Sequence, residues 1–200
     1  MIKELIPSQN FEIVRDSIGF LLSQEINSQK QKQNSRFTED VNVFLERTTP
    51  IDNSEEVVIN VNLASSDFNN KTQKDSQGKT FFNIDIYSKG AASPIESGSL
   101  NSSLKLHKYI GLVRYILQHT EYKTLGLPLG FIGGTNFENF TIMENSNKED
   151  SDFFKMAVIS FSVRIQESQS MSETIDLNEI FTNVKIEETE KGYIYQFIKN

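Results

Sequence analysis

Apolar residues recur at helical spacing near the start of the chain. Phe11, Val14, Ile18, Leu21, Leu22 and Ile26 make one stripe, with Glu25 beside it, while Arg15, Asp16 and Gln24 fall outside. That stripe predicts an amphipathic helix, with Ser8 placed to cap it. The polar run Asn27 to Asn34 offers no apolar side chain to bury, so the helix is expected to fade there. A period of two follows. Val41, Val43 and Leu45 alternate with Asn42, Phe44 and Glu46, and Thr49 to Asn53 reads as a turn. Val57, Ile59, Val61 and Leu63 alternate with Val58, Asn60 and Asn62, which predicts a half-buried strand with one wet face. Ser65 to Lys79 holds almost no apolar residue besides Phe68 and reads as a long loop. In the strand after it, Phe82, Ile84 and Ile86 take one face and Asn83, Asp85 and Tyr87 the other.

Lys89 to Ser99 is rich in Gly, Ala, Ser and Pro and reads as a linker. A second helix is expected from about Asn101 to His119. Leu106, Ile110, Val113 and Leu117 form its stripe, which Leu104, Tyr109 and Ile116 widen. Gly111 inside it costs about 1 kcal/mol relative to Ala, which points to close packing on a sheet. Leu125 to Gly134 breaks regular structure, and Phe137 to Met143 reads as a strand. Phe153 to Gln166 is the clearest strand. Ala157, Ile159, Phe161, Val163 and Ile165 point one way; Ser160, Ser162 and Arg164 point the other. It is long enough to cross a whole sheet.

The composition shifts after Glu167. Ser168 to Ser172 is a polar link, and Leu177, Ile180, Phe181, Val184 and Ile186 lead into a charged turn, Glu187 to Gly192. The run Tyr193, Ile194, Tyr195, Gln196, Phe197, Ile198 follows. A small C-terminal hairpin, or a tail that docks elsewhere, is the expectation. This divides the chain into a domain over 1–167 and an extension over 168–200. The apolar tail must be buried, either by completing its own domain's sheet or against a partner. Tyr193, Ile194, Tyr195, Phe197 and Ile198 are therefore the candidate subunit-interaction residues.

Composition narrows the classes. With 200 residues and 37% hydrophobic content the chain can bury a core without a staple. It has no Cys, which excludes disulfides, Cys-ligated zinc and Cys nucleophiles. Its formal charge of -7 argues against a broad grip on nucleic acid or anionic lipid. The first residues lack the apolar core and cleavage site of a signal peptide, and no stretch approaches a membrane span. Expression in the cytoplasm, with no membrane partner, is the expectation.

Candidate chemistry is sparse. His107 and His119 share one predicted helix but not metal-ligand spacing. Gly126, Gly130, Gly133 and Gly134 lack the Gly-Lys-Ser/Thr of a phosphate cradle and read as a turn. Asp85 and Glu121 could serve a metal-dependent nuclease only if adjacent strands brought them together. Glu144, Glu149, Asp150 and Asp152 lack the spacing of a calcium loop. No catalytic, cofactor or metal residues are assigned.

The element order carries more. A capped amphipathic helix comes first, then a meander with Val57 to Val61 and Phe82 to Tyr87, then the long helix Leu104 to Leu117 ending in a Leu-Gly loop. The long strand Met156 to Ile165 closes it. From about Phe11 to Gln166 this order resembles the α/β tail-terminator and tail-completion proteins of tailed bacteriophages. The resemblance implies an α+β fold, with helices packed on one face of a curved, mainly antiparallel sheet. It implies a structural, non-catalytic virion protein without a cofactor. About six copies, with twelve as the alternative, would form a ring at the head–tail junction. The ring would end the tail tube, join it to the neck and portal proteins, and leave a channel through which DNA passes without specific binding. Assembly would take place in the host cytoplasm. The extension over 168–200 is not part of the family pattern, so an arm to a neighbouring subunit and a different connector ring both stay open. So does a soluble adaptor domain using the same polar strands against a single partner.

Overall fold

The computed structural model describes residues 7–33, 35–49, 51–52, 54–72, 75–91, 97–143, 153–167, 179–185 and 192–198. Of 69–72, 75–76, 179–185 and 192–198 only the backbone is described. The chain divides into two compact units, 1–169 and 170–200.

The first unit is α+β. Helix α1 spans Asn10–Lys32, β1 Val41–Leu45, β2 Val57–Thr72, β3 Asp75–Gly90, α2 Gly98–Gln118, β4 Ile132–Met143 and β5 Phe153–Gln166. The sheet order is β1-β2-β3-β5-β4. Only β1 and β2 run parallel; every other neighbour pair is antiparallel. Both helices pack on one face, α1 over β1 and β2, α2 over β3 and β5. The two-residue period of the strands decides which side chains meet them. Phe82, Ile84, Ile86, Ala157, Ile159, Phe161, Val163 and Ile165 are all buried, as the alternation predicts. Each such large side chain contributes roughly 1.5–3 kcal/mol on leaving water.

Several expectations need correction. Gln9 caps α1, not Ser8, and the Gln9 N–H donates to the Glu12 carboxylate at 2.7 Å. The helix does not fade at Asn27 but runs on to Lys32. Glu25–Gln29 and Gln29–Gln33 side-chain hydrogen bonds, at 2.8 and 3.0 Å, tie its last turns together. Lys30 and Lys32 lie where the helix dipole favours cations. Gln and Lys are good helix formers, so the polar run needs no partner to stay helical.

The long loop expected over Ser65 to Lys79 is the end of a hairpin. β2 and β3 stay paired from Val57↔Ser88 to Thr72↔Asp75, with the register shifting between Leu63 and Ser65 and again between Asn70 and Thr72. β3 also pairs with β5 from Gln77↔Gln166 onward, so Gln77 to Lys79 have a ladder on both sides, while Ser65 to Thr72 pair with β3 alone. On the second face of β2, Val58 and Asn60 are buried rather than wet, while Asn62 is half-buried. The connection from β1 to the parallel β2 must cross over, and it covers Asn60. The Arg47 N–H donates to Asn60 Oδ1 at 2.9 Å, and Asn60 Nδ2 donates to the Arg47 carbonyl at 2.7 Å.

In α2 the cap is Ser97, whose side chain accepts the Leu100 N–H at 3.3 Å. Gly111 faces open space and marks no packing contact, and Leu104 is 53% exposed. The close approach lies at other glycines. A Cβ on Gly90 would meet the Gly98 carbonyl oxygen and the Ser102 nitrogen, and one on Gly98 would meet the Phe153 ring. Gly133 and Gly134 belong to β4 rather than to the preceding turn. The linker residues 92–96, the acidic stretch 144–152, the polar link 168–172 and the charged turn 187–191 lie outside the described residues.

Among the described residues of the second unit, β6 Glu179–Lys185 and β7 Gly192–Ile198 form a two-stranded antiparallel pair.

Candidate functional site

The candidate interaction residues fall on β7. Tyr193 pairs with Val184, Ile194 with Asn183, Tyr195 with Thr182, Phe197 with Ile180 and Ile198 with Glu179. Their side chains lie outside the described residues.

The helix-free face of the first unit carries a band of amides and hydroxyls. Asn62, Asn83, Ser160 and Asn139 stand opposite one another across four strands. Beside them Asp85 accepts from Asn62 Nδ2 at 2.7 Å and from the Tyr87 side chain. Burial pushes the Asp85 carboxyl up, and the two hydrogen bonds pull it back only in part. Near the far end of this face, Glu138 accepts from Lys79 Nζ and from Ser162 Oγ, each at 2.6 Å. Lys79 first, then Ser162 and Asn136, bring its carboxyl down to about 2.

The sheet edges differ. Beyond β1, the Glu46 N–H donates to the Val61 carbonyl, and the Glu46 carboxylate accepts the Leu63 N–H at 2.8 Å. One exposed side chain thus occupies the next donor of the ladder. On β4 the register shifts between Ile132 and Gly134 and again between Phe137 and Asn139. The two bulges keep Ile132, Phe137, Phe140 and Ile142 opposite the core-facing residues of β5. Ile132 and Phe137 pack against the core; Phe140 and Ile142 remain 44% and 37% exposed. Sequence reasoning found this strand but not its role as an edge. The signal available was its stretch Asn139 to Met143, which alternates without a charge, a glycine or a proline.

The other candidates are placed apart. Asp85 lies on the helix-free face, and Glu121 lies in the short helix Thr120–Tyr122 that follows α2. The sheet separates them, so they do not form the nuclease pair considered from sequence. His107 is exposed. His119 caps the end of α2, its Nδ1 accepting the Glu121 N–H at 3.4 Å. Its ring stands between Tyr115 and Tyr122, with centroids 5.4 and 5.8 Å away, and Tyr122 Oη donates to Glu25 at 2.9 Å. Leu125, Gly126 and Gly130 take positive φ angles of 53, 77 and 88° and turn the chain toward β4. Among the described residues no three His, Asp or Glu side chains are grouped to hold a metal ion. No helix among them is long and apolar enough to cross a membrane.

Compared with known proteins, the chain matches no family, and no curated protein is similar to it in sequence.

Proposed function

We propose that the chain is a non-catalytic assembly subunit, whose copies form a ring of the head–tail connector type that the tail-terminator resemblance implies. The observation that supports this reading is the hairpin of β6 and β7, which belongs to a compact unit separate from a first unit with its own core. A lone two-stranded hairpin is marginal in water, so its apolar run is best accounted for by a partner surface. In a ring that partner is the neighbouring copy. The net charge of -7 suits a channel wall along which DNA slides instead of sticking. The band itself, Asn62, Asn83, Ser160 and Asn139, supplies amides and a hydroxyl and no cation that would hold phosphate.

The test is the mass of the purified full chain by light scattering, with negative-stain imaging of the same fraction. Closed rings are expected. A mass of one chain at every concentration, with no ring in the images, overturns the self-assembling reading. Metal-dependent cleavage of DNA by the same preparation would overturn its non-catalytic part.

A further inference from the structure

The two edges of the sheet are protected unequally. Natural sheets guard an edge with short strands, bulges, inward charges or prolines, because a bare edge templates pairing with another chain. β1 is five residues long, and Glu46 blocks the ladder beyond it. The first half of β4 has two bulges and the Glu138–Lys79 ion pair. Asn139 to Met143 has none of these devices. Its register with β5, from Asn139↔Ser160 to Met143↔Met156, is unbroken. It carries no charge, and Phe140, Ile142 and Met143 are 44%, 37% and 48% exposed.

The same chain contains a strand with the complementary need. Of the six residues Tyr193 to Ile198, all but Gln196 are apolar, at odd and even positions alike. That is the pattern of a strand covered on both faces. Among the described residues β7 has β6 on one edge and no strand on the other. At seven residues it is long enough to span the five of the open edge.

We infer that β7 of one copy adds to Asn139–Met143 of the neighbouring copy, so that the sheet of each subunit continues into the hairpin of the next. This rests on the ring reading and names the surface that receives the arm. Main-chain hydrogen bonds between the two strands supply affinity. Phe140 and Ile142 set the register, because a slip of one residue would turn the added strand's side chains to the opposite face.

The absence of Cys makes the test clean. Thr141→Cys and Gln196→Cys are prepared as separate full-length variants, mixed, and treated with a short thiol-to-thiol linker. The expected product is a two-chain species that requires both variants, and the double variant gives a ladder. A product formed only within one chain of the double variant overturns the exchange between copies. A two-chain product from Thr141→Cys alone points to edge-to-edge pairing of β4 and overturns it too. Rings that persist without any mixed product overturn the β4–β7 contact while leaving the ring reading standing; a monomer overturns both. As a second measure, Ile142→Lys puts a charge on the open edge. It is expected to raise the concentration needed for assembly about tenfold or more, with the melting temperature unchanged. Unaltered assembly in that variant overturns the inference.

Discussion

Two buried carboxylates show how neighbours decide the sign of a pH effect. Glu39 is 7% exposed and accepts from Lys108 Nζ and, at 3.0 Å, from Tyr109 Oη. Burial pushes its carboxyl up, but Lys108, a backbone hydrogen bond and Tyr109 together outweigh it, and the net direction is down. Between the folded and unfolded values the unfolded chain binds more protons. The Glu39 contribution is therefore complete above the ordinary carboxylate range and is lost as pH falls through the lowered value. Lys108→Met leaves this carboxylate buried without its cation and is expected to cost about 2 kcal/mol near neutral pH. Tyr109→Phe removes one donor and is expected to cost about 1 kcal/mol. Urea unfolding across pH measures both, and the Lys108 variant is expected to lose less further stability on acidification than the parent. Glu167 is the opposite case. It is also 7% exposed and accepts the Phe11 and Asn10 N–H groups, and among the described residues its Oε1 has no hydrogen-bond partner. Burial raises its carboxyl more than those two donors lower it. A raised folded value means stability that is present at low pH and lost as pH climbs through it. Glu167→Gln is thus expected to gain on the parent at about pH 8 and to match it at about pH 4; a deficit at the higher pH would contradict this.

At the scale of elements, the glycines separate helix propensity from packing. Gly111 lies within α2 with nothing near its Cβ position, so Gly111→Ala is expected to stabilise by about 0.5–1 kcal/mol. A Cβ on Gly90 would lie 2.2 Å from the Gly98 carbonyl oxygen and 2.5 Å from the Ser102 nitrogen. Those are backbone atoms that cannot rotate away, so Gly90→Ala is expected to cost about 1–3 kcal/mol. Thermal unfolding of the two variants gives shifts of opposite sign. The sequence alone could not tell these glycines apart, because it shows propensity and period but not what lies across the gap. For the same reason the alternation in β5 disclosed the core face from Ala157 to Ile165, whereas Ser65 to Lys79 read as a loop. Its ladder is held by backbone pairing to β3, and β3's to β5, which leaves no hydrophobic period to read. The tail of α1 was hidden likewise, since side-chain hydrogen bonds and helix-forming residues hold it without an apolar stripe. The parallel β1–β2 pair and its crossover were not legible either. The burial of Asn60 depends on a chain segment that period-two reasoning treats as a turn. Of the candidate interface, the sequence showed the apolar run of β7 but not the bare edge of β4, whose exposure follows from sheet order.

At the scale of the whole molecule, the proposed ring raises the question of which unit would hold the stability and which the assembly. The described core, from Val14 to Ile165, lies in the first unit and is built from both helices and the five-stranded sheet. A partner's strand on β4 would add an interface without adding to that core. Deleting Met171–Asn200 is therefore expected to abolish ring formation. Because about 1 kcal/mol corresponds to roughly 2–4 °C in a domain of this size, the melting temperature of the remaining body is expected to stay within about that range of the monomeric full chain. The comparison has to be made at a concentration where the parent is dissociated, since assembly stabilises by mass action and would mimic an intramolecular contribution. A fall of more than about 10 °C under those conditions would mean that the hairpin completes the body's own core, and the arm would then be no arm. A truncated chain that still forms rings would place the ring contacts on the first unit alone. The expected pattern, a stable body that has lost its neighbours, would separate folding from assembly within one chain, as the proposed ring subunit requires.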